Sequence, residues 1–351
     1  MMIEKSRRIR PRQGSTTRRS SVSNIIEQLN FFIMNEVLLK PTYKEDVYAV
    51  NDIFSHGGRL VLGCSGLGGV WGDVVEQESV DCILYALENG IKTLDTAPSY
   101  NQSEIFVGKA LKEWKGPKPF VSSKVGRLPA QAADDCIVDY SSESMRSSLA
   151  RTLDRLQIDA LDLVFLHEPH LVPLNEYDRI TDDLLRFKQE GMVKMIGVGG
   201  NPTAGFRKAL NQKNVFDVVS GFLGLDACNL NALKDDIPLL SQHKIAYYAA
   251  SGLHMGLLGS RFKQHVQNPP NNEWITNRDV ANAVKVNQIA QEIGMPLADL
   301  AMKYIFSMQQ ADRVVIGART KEQTISLCNI WKQGGLSEDI FNRITDTLIG
   351  G

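Results

Sequence analysis

"IKTLDTAPSYNQSEIFVGKAL", residues 91–111, decides the fold because it contains one complete unit of strand, loop and helix. An apolar run that is typical of a buried strand ends in Asp95, and a helical pattern begins after a loop of turn-forming residues that contains Tyr100. Neither the carboxylate nor the phenol adds to a buried core at this position. Their placement therefore indicates a role other than packing.

The same unit recurs on both sides of this stretch. Besides 91–95, apolar runs predict strands over 59–66, 119–124, 160–167, 193–200, 216–222, 244–251 and 313–318. Besides the helix that follows Tyr100, amphipathic patterns predict helices over 79–89, 141–156, 177–190, 203–211, 231–241, 279–293, 297–308 and 320–331.

This alternation predicts an α/β fold of the (β/α)8 TIM barrel type. Consecutive strands that are separated by helices must run parallel with right-handed crossovers, and eight such units over about 290 residues fit a closed barrel. The alternative is an open, doubly wound sheet with a Rossmann site. "GCSGLGGVWG" (63–72) and "GVGGNP" (197–202) both miss the G-x-G-x-x-G spacing, which favours the barrel.

Composition excludes several classes of function. The chain has 351 residues, of which 43% are apolar and 23% charged, with a net charge of -1, so its overall charge gives no reason to expect a nucleic acid or membrane partner. No apolar run approaches the roughly 18 residues of a membrane span. The five cysteines never form a C-x-x-C pair, so we predict no disulfide framework, no metal site and a reducing, cytoplasmic location.

The N-terminal end differs in composition. "MMIEKSRRIRPRQGSTTRRSS" (1–21) is rich in Arg and Ser and lacks apolar periodicity, so we predict that residues 1–50 form a basic, disordered extension and that residues 51–351 form the barrel domain. Three interpretations of residues 1–33 stay open: a mitochondrial targeting segment, a basic interaction tail, or sequence upstream of a true start at Met34.

Four chemically active side chains follow three neighbouring strands. In such a barrel, chemistry is expected at the C-terminal strand ends, where the loops converge. Asp95 ends the second predicted strand with Tyr100 just beyond it, while Lys124 and His167 end the third and fourth. Each alone has an ordinary explanation as a helix cap, a packed ring, a solvated ammonium or a hydrogen-bonded imidazole. Together, at equivalent strand ends, they predict one catalytic site.

These four groups suit proton transfer to or from a carbonyl/alcohol pair. A free phenol has a pKa of about 10 and is a poor proton carrier near neutrality. A nearby Lys124 ammonium is expected to favour the phenolate of Tyr100 and to lower its pKa, while Asp95 holds the ammonium in place. A neutral His167 imidazole is suited to orienting the substrate oxygen.

The chain resembles the aldo-keto reductase family, which has a (β/α)8 barrel and a tetrad of Asp, Tyr, Lys and His. The resemblance places that tetrad on Asp95, Tyr100, Lys124 and His167. It covers about residues 58–331 and rests on five motifs: "DTAPSY..SE...GKAL", "SSKVGR", "DLVFLHEP", "IGVGGNP" and "VVIGARTKEQ".

The resemblance implies an extended nicotinamide dinucleotide across the barrel mouth. It places Gly68 near the nicotinamide, and Gly200, Asn201 and Ser220 at the carboxamide. It makes "SGLHMGLL" (251–258) the pyrophosphate loop, with Ser251, Gly252, Leu253 and Gly256 as binding residues. At the adenosine end, it places Gly317, Arg319 and Gln323, where Thr320 and Gln323 form a plausible capping box.

Departures from the family pattern favour NAD over NADP. Ser220 stands where many members have Gln, and Ala250 where many stack an aromatic ring on the nicotinamide. The two basic residues that usually neutralise a 2′-phosphate fall on Gly317 and Gln323, with only Arg319 nearby. A dianionic phosphate would be poorly neutralised there.

The resemblance is greatest to the branch that contains D-threo-aldose 1-dehydrogenases, including those acting on L-fucose, D-arabinose and L-galactose, and pyridoxal 4-dehydrogenase. Glu168 and His170 stand where these relatives often have "HDPD", so both are candidate substrate-binding residues. Trp71 is a third candidate, which either stacks on a sugar ring or packs in its loop.

The resemblance therefore implies oxidation of an aldose at its anomeric carbon, giving a lactone and reduced cofactor. The alternatives are a general aldehyde or carbonyl reductase, a pyridoxal 4-dehydrogenase, and a nicotinamide-binding regulatory subunit without catalysis. A small-molecule substrate is the expected partner, and the chain is expected to be a monomer or a weak homodimer.

Overall fold

The structure is a computed structural model that describes residues 40–130 and 136–350. Its strands are β1 Leu60–Gly63, β2 Thr93–Asp95, β3 Phe120–Val125, β4 Leu161–His167, β5 Val193–Gly199, β6 Val218–Phe222, β7 Ala246–Ala250 and β8 Arg313–Gly317. Its α-helices are α1 Glu76–Glu88, α2 Ser103–Glu113, α3 Ser142–Leu156, α4 Tyr177–Gln189, α5 Ala204–Gln212, α6 Ala232–Gln242, α7 Phe262–Gln267, α8 Asn277–Glu292, α9 Leu297–Phe306, α10 Lys321–Lys332 and α11 Glu338–Ile349.

The eight strands form a closed, parallel barrel in sequence order, so the predicted (β/α)8 fold is confirmed. Closure comes from the pairing of β1 with β8, in which Leu60 to Gly63 lie opposite Val314 to Gly317. This pairing excludes the alternative open sheet, because an open sheet would leave both strands as edges. Every predicted strand is present at the expected place.

Two layers of apolar side chains stabilise the barrel. The barrel interior packs residues such as Val61, Phe165 and Tyr248, and Phe54 packs beneath them. The larger layer lies between the strands and the surrounding helices, and it explains why the strands read as continuous apolar runs. Arg313 is fully buried within the interior, with its guanidinium 3.9 Å from the ring centroid of Phe54.

The helices begin and end close to the predicted positions, and two were not predicted. Helix α7 has six residues, too few for a helical period to stand out. Helix α11 follows Gly334 and Gly335 after the eighth strand, where the repeating unit has already ended. Within the residues that the structure describes, no helix is both long and apolar enough to cross a membrane.

The predicted boundary at residue 51 lies inside an ordered segment. Residues 1–39 of the predicted extension are outside the described residues, but residues 40–50 pack on the barrel. The Tyr43 hydroxyl donates to the Leu336 carbonyl at 2.9 Å, the Lys44 amide donates to the Ser307 carbonyl at 2.9 Å, and Val47 is buried. Among the residues that the structure describes, 40–50 therefore belong to the same unit as the barrel.

Candidate active site

An open cavity of about 550 Å³ lies at the C-terminal ends of the strands, which is the size of an ordinary small-molecule site. All four predicted catalytic residues line it. So do nine other residues that the sequence indicated for cofactor or substrate: Trp71, Glu168, Gly200, Ser220, Ser251, Gly252, Leu253, Gly256 and Gly317. The barrel thus brings together side chains that are far apart in the sequence.

Asp95 and Lys124 form a buried ion pair in which Nζ lies 2.6 Å from Oδ2. The pairing of Asp95 with Ser122 in the sheet places the two strand ends side by side. The Ser122 hydroxyl donates to the other oxygen of Asp95 at 2.8 Å, and Lys124 also donates to the Thr96 carbonyl at 2.9 Å. The ammonium therefore has a fixed position.

Lys124 also contacts Tyr100, since its Nζ lies 4.6 Å from the centroid of the phenol ring. Burial raises the pKa of Tyr100, and the nearby Lys124 charge opposes this without cancelling it, so the net direction is upward. The expectation of a lowered pKa is therefore wrong for the protein without ligands, because desolvation outweighs the ammonium. Burial lowers the pKa of Lys124, but Asp95 and Tyr100 outweigh it and raise the pKa overall.

His167 is held as a neutral imidazole beside Tyr100. Their ring centroids lie 6.0 Å apart with the planes at 86°. Burial, followed by the charges of Lys124 and Arg127, lowers the pKa of His167 well below its usual value. The Tyr140 hydroxyl donates to the carbonyl of His167 at 2.9 Å, which fixes the end of β4. A neutral ring in this position can either donate a hydrogen bond to a substrate oxygen or accept one from a substrate hydroxyl.

An ion pair borders the catalytic residues on one side of the cavity. The Arg127 guanidinium donates to Oε1 of Glu168 at 2.8 Å, and the same oxygen lies 3.9 Å from Nε2 of His167. Glu168 has a left-handed backbone with φ of 55°, and Tyr140 holds its carbonyl at 2.8 Å. His170, predicted to bind substrate, does not line the cavity, although its Nδ1 lies 3.6 Å from Glu168.

The opposite part of the cavity has the features of a site for an extended anionic ligand. A Cβ built on Gly317 would meet nothing closer than the Gly63 carbonyl at 3.6 Å, which leaves that edge open to a close approach. Arg261 lines the cavity beside Gly256, where a built Cβ would lie 3.2 Å from the arginine side chain. The backbone of the glycine-containing loop and this guanidinium fit a pyrophosphate.

Four residues predicted to bind cofactor do not line the cavity. Gly68 packs under the Tyr100 loop, because a built Cβ would lie 2.2 Å from the Tyr100 carbonyl oxygen. The amide of Asn201 is engaged with both backbone groups of Phe222, at 2.9 and 3.1 Å. The other two are Arg319 and Gln323, which are joined in a turn by a hydrogen bond from the Arg319 amide to the Gln323 side chain.

That turn also differs from the predicted capping box. The Thr320 hydroxyl accepts from the Gln323 amide at 3.3 Å, as expected for an N-cap. The Gln323 side chain, however, accepts from the amide of Arg319 at 2.8 Å rather than from that of Thr320. Only half of the reciprocal motif is present.

Several lining residues were not singled out in the sequence. The most informative are Arg127, Arg261, Phe222 and Trp274. Phe222 and Trp274 stack with ring centroids 5.5 Å apart and planes at 29°. Trp274 and Arg261 come from the long connection between β7 and α8, which carries no periodic signal; only the aromatic and cationic residue types pointed to a binding surface.

Comparison with known proteins identifies a family and several related sequences. The model of the "Aldo/keto reductase family" matches residues 59–349. An L-galactose dehydrogenase of Arabidopsis thaliana is 29% identical over 274 residues, covering 75% of this chain and 80% of that protein. A D-arabinose 1-dehydrogenase of Saccharomyces cerevisiae is 31% identical over 280 residues, with the same two coverages of 75% and 80%.

Two further matches have other names. An NADH-specific methylglyoxal reductase of Escherichia coli is 28% identical over 289 residues, covering 76% of this chain and 87% of that protein. The solved structure of a glycerol dehydrogenase from Gluconobacter oxydans superposes with a TM-score of 0.69 at 21% identity, covering 86% of this chain and 95% of that one. At that identity the structural match supports the fold alone.

Proposed function

The chain belongs to the aldo/keto reductase family, and from that premise we propose that it is an NAD-dependent dehydrogenase that oxidises an aldose at its anomeric carbon to the lactone. The observation that carries the proposal is the contact of one ammonium, that of Lys124, with both Asp95 and Tyr100 beside a neutral imidazole. This set of groups is suited to moving one proton at an alcohol or carbonyl oxygen.

Tyr100 is the proposed general base for the anomeric hydroxyl. Its phenolate is stabilised by Lys124, and Asp95 keeps that ammonium charged and in place. His167 positions the hydroxyl, since its neutral ring offers one hydrogen-bonding nitrogen without a competing charge. In the reverse reaction the same phenol donates its proton to a carbonyl oxygen.

The cofactor proposed for this site is a nicotinamide dinucleotide, which accepts the hydride from the sugar carbon when bound. Ser251, Gly252, Leu253 and Gly256 would hold its pyrophosphate together with Arg261, and Gly200 and Ser220 line the cavity nearer the tetrad. We favour NAD because Gly317 and Gln323 carry no charge to neutralise a 2′-phosphate. Arg319 does not line the cavity.

Two residues support a sugar as the substrate. Trp71 is 54% exposed at the edge of the cavity, where its ring is available to stack on the apolar face of a pyranose. Glu168 lies beside His167, where its carboxylate could accept hydrogen bonds from the hydroxyl groups of a bound sugar. The names of the Arabidopsis and yeast relatives point to the same substrate class.

A substrate panel with both cofactors tests the proposal. Oxidation of L-galactose, L-fucose, D-arabinose and pyridoxal is followed at 340 nm with NAD and with NADP. Reduction of methylglyoxal and of an aromatic aldehyde is followed at the same wavelength with NADH and with NADPH. We expect the highest kcat/KM with an aldose and NAD. A kcat/KM for NADP ten or more times that for NAD would contradict the cofactor assignment.

The second candidate function is a general carbonyl reductase with the same tetrad. The similarity to an NADH-specific methylglyoxal reductase favours it as the alternative. Reduction of methylglyoxal or the aromatic aldehyde that exceeds oxidation of every sugar would establish it, and preference for pyridoxal would indicate a pyridoxal 4-dehydrogenase. A regulatory subunit without catalysis would bind the dinucleotide and turn over no member of the panel.

A further inference from the structure

A buried charge cluster lies directly behind the loop assigned to the pyrophosphate. Leu253, Met255 and Gly256 of this loop line the cavity, whereas His254 does not line it and is fully buried. Its Nδ1 lies 2.7 Å from Oδ2 of Asp226, and its Nε2 lies 3.6 Å from Oδ2 of Asp279. One imidazole thus stands between two carboxylates from other segments.

Both carboxylates are fixed independently of the histidine. Asp226 follows β6, and its Oδ1 accepts from the amides of Cys228 and Asn229 at 2.8 and 3.0 Å. Asp279 is in the first turn of α8, where it completes a capping box by accepting from the Thr276 amide at 2.8 Å. His254 therefore connects the loop after β7 to two rigid points.

Each connected segment also supplies a wall of the cavity. Phe222 lies at the end of β6, shortly before Asp226, and Trp274 lies just before α8, which contains Asp279. These two rings stack on each other. A shift of the histidine relative to either carboxylate would consequently move the loop relative to these two rings.

The loop needs such support because its backbone is strained. Ser251, His254 and Met255 have φ values of 61°, 47° and 54°, in the left-handed region that side chains other than Gly and Asn avoid. Such a conformation is unfavourable for these side chains, so it persists only where the surroundings fix it. Burial lowers the pKa of His254, but the two carboxylates outweigh it and raise the pKa to about 10.

A bound metal is the other use that such groups suggest. Ligand atoms of Asp226, Cys228 and His254 lie within 4.8 Å of one another. The hydrogen bonds already present connect them, however, because Cys228 donates to Asp226 at 3.2 Å and His254 lies 2.7 Å from the same carboxylate. These groups are therefore already bonded to one another, and the Nε2 of His254 faces Asp279 at 3.6 Å.

We propose that His254 is a positioning residue for the dinucleotide, which holds the 251–256 loop in its binding conformation through Asp226 and Asp279. The inference rests on the proposed function for its ligand, because the loop must bind the pyrophosphate of a nicotinamide dinucleotide. The residue itself contacts no part of the reaction. Its removal should therefore weaken cofactor binding and leave the chemical step intact.

The test variant is His254→Asn, because Asn tolerates a left-handed backbone and removes the charge. The matched control is His243→Asn, which changes a histidine outside the cavity and the cluster. NADH binding is followed by fluorescence titration, and steady-state kinetics are measured with the best substrate of the panel. We expect the Kd for NADH and the KM for NAD to rise at least tenfold in His254→Asn, with kcat reduced less than threefold.

Hydrogen exchange of the loop separates this inference from the proposed function. Without any ligand, amides of residues 251–258 should exchange at least tenfold faster in His254→Asn than in the wild type or the control. Unchanged exchange and unchanged NADH affinity in a folded variant would overturn the inference. Failure of the wild type to bind NADH or NADPH, with faster exchange in the variant, would instead overturn the proposed function and the ligand assigned to the loop.

A milder variant covers the case in which His254→Asn does not fold. Asp279→Asn keeps an oxygen for the cap and removes one of the two carboxylates facing the histidine. We expect a three- to tenfold rise in the Kd for NADH, with kcat unchanged. An Asp279→Asn protein that binds NADH as tightly as the wild type and shows unchanged loop exchange would also contradict the proposal.

Discussion

Lys124 and Asp95 form an ion pair that is almost entirely withdrawn from water, with 2.6 Å between Nζ and Oδ2. A buried pair of this kind seldom stabilises a fold more than apolar residues of similar volume would, because both charges lose their hydration. Its position beneath Tyr100 gives it a different use. The pair places a fixed positive charge where a phenol must lose and regain a proton.

Replacing the phenol should abolish turnover without affecting the cofactor site. In Tyr100→Phe the ring is kept and the transferable proton is lost, so we expect kcat to fall by about 10² to 10⁴, the usual contribution of a positioned acid or base. The Kd for NADH should change less than twofold. Tyr85→Phe, on the outer helix α1, is the control, and retention of more than a few per cent of kcat in Tyr100→Phe would rule out the assigned role.

Removing the ammonium should move the pH profile of oxidation upward. Burial raises the pKa of Tyr100 and Lys124 opposes that rise, so Lys124→Met raises the pKa further. Because oxidation needs the phenolate, the increase of kcat/KM with pH should shift to higher pH. Lys109→Met, which removes an exposed pair with Glu76, should leave the profile in place. A profile unchanged by Lys124→Met would argue against this role for the ammonium.

A single methyl group on Gly68 should displace the catalytic loop. A built Cβ lies 2.2 Å from the Tyr100 carbonyl oxygen and 2.6 Å from Cβ of Ser103, so Gly68→Ala forces the backbone apart. We expect a loss of about 1–3 kcal/mol in the free energy of unfolding and at least a tenfold lower kcat. Gly58→Ala is the control, since its built Cβ meets nothing closer than 3.7 Å. Equal melting temperatures and kcat values for the two variants would show that the loop tolerates the contact.

Neutralising Glu168 should affect the substrate more than the cofactor. Its carboxylate pairs with Arg127 at 2.8 Å and lies beside His167, so Glu168→Gln weakens the ion pair at the substrate side of the cavity. We expect the KM for the sugar to rise about five- to fiftyfold while the Kd for NADH stays within twofold. Glu176→Gln, which alters the exposed pair with Arg179, is the matched control. A rise confined to the Kd for NADH would place Glu168 in the cofactor site.

The buried histidine should also make stability depend on pH. The pKa of His254 in the folded protein is about 10, above the ordinary histidine value of about 6.5, because Asp226 and Asp279 outweigh burial. The resulting stabilisation is complete below about pH 6.5 and is lost as pH rises to 10; it amounts to roughly 4–5 kcal/mol. Between pH 7 and pH 10, the free energy of unfolding measured in urea should therefore fall more in the wild type than in His254→Asn. Parallel losses in the two proteins would contradict this.

The barrel, and the meeting of Asp95, Tyr100, Lys124 and His167 at its mouth, were predictable because both depend on short-range sequence signals. A strand buried on both faces reads as an apolar run, and its C-terminal end is defined by the residue that stops it, as with Asp95 and His167. Asn101 illustrates how local this information is. Its φ of 51° is a left-handed conformation that Asn tolerates, in the turn that carries Tyr100.

The cofactor and substrate sides were less predictable because loop conformation decides them. Gly68 and Asn201 were assigned to the ligand from their motifs. In the structure Gly68 packs against Tyr100, Asn201 is hydrogen-bonded to Phe222, and neither lines the cavity. Arg261 and Trp274 reach the cavity from a connection without periodicity. The predicted direction of the Tyr100 pKa was also wrong, because burial depends on the folded site and cannot be read from nearby positions in the sequence.

Residues 40–50, which pack on the barrel, bring the start of the described chain close to its last helix. Lys40 Nζ lies 2.9 Å from Oδ1 of Asp346 in the last helix, so residue 40 lies close to the end of α11. A closed ring of strands has no edge and no required first member. Circular permutation, with a short linker joining these two points and new termini at an exposed turn such as Gly191, should therefore preserve the ring and every residue of its mouth.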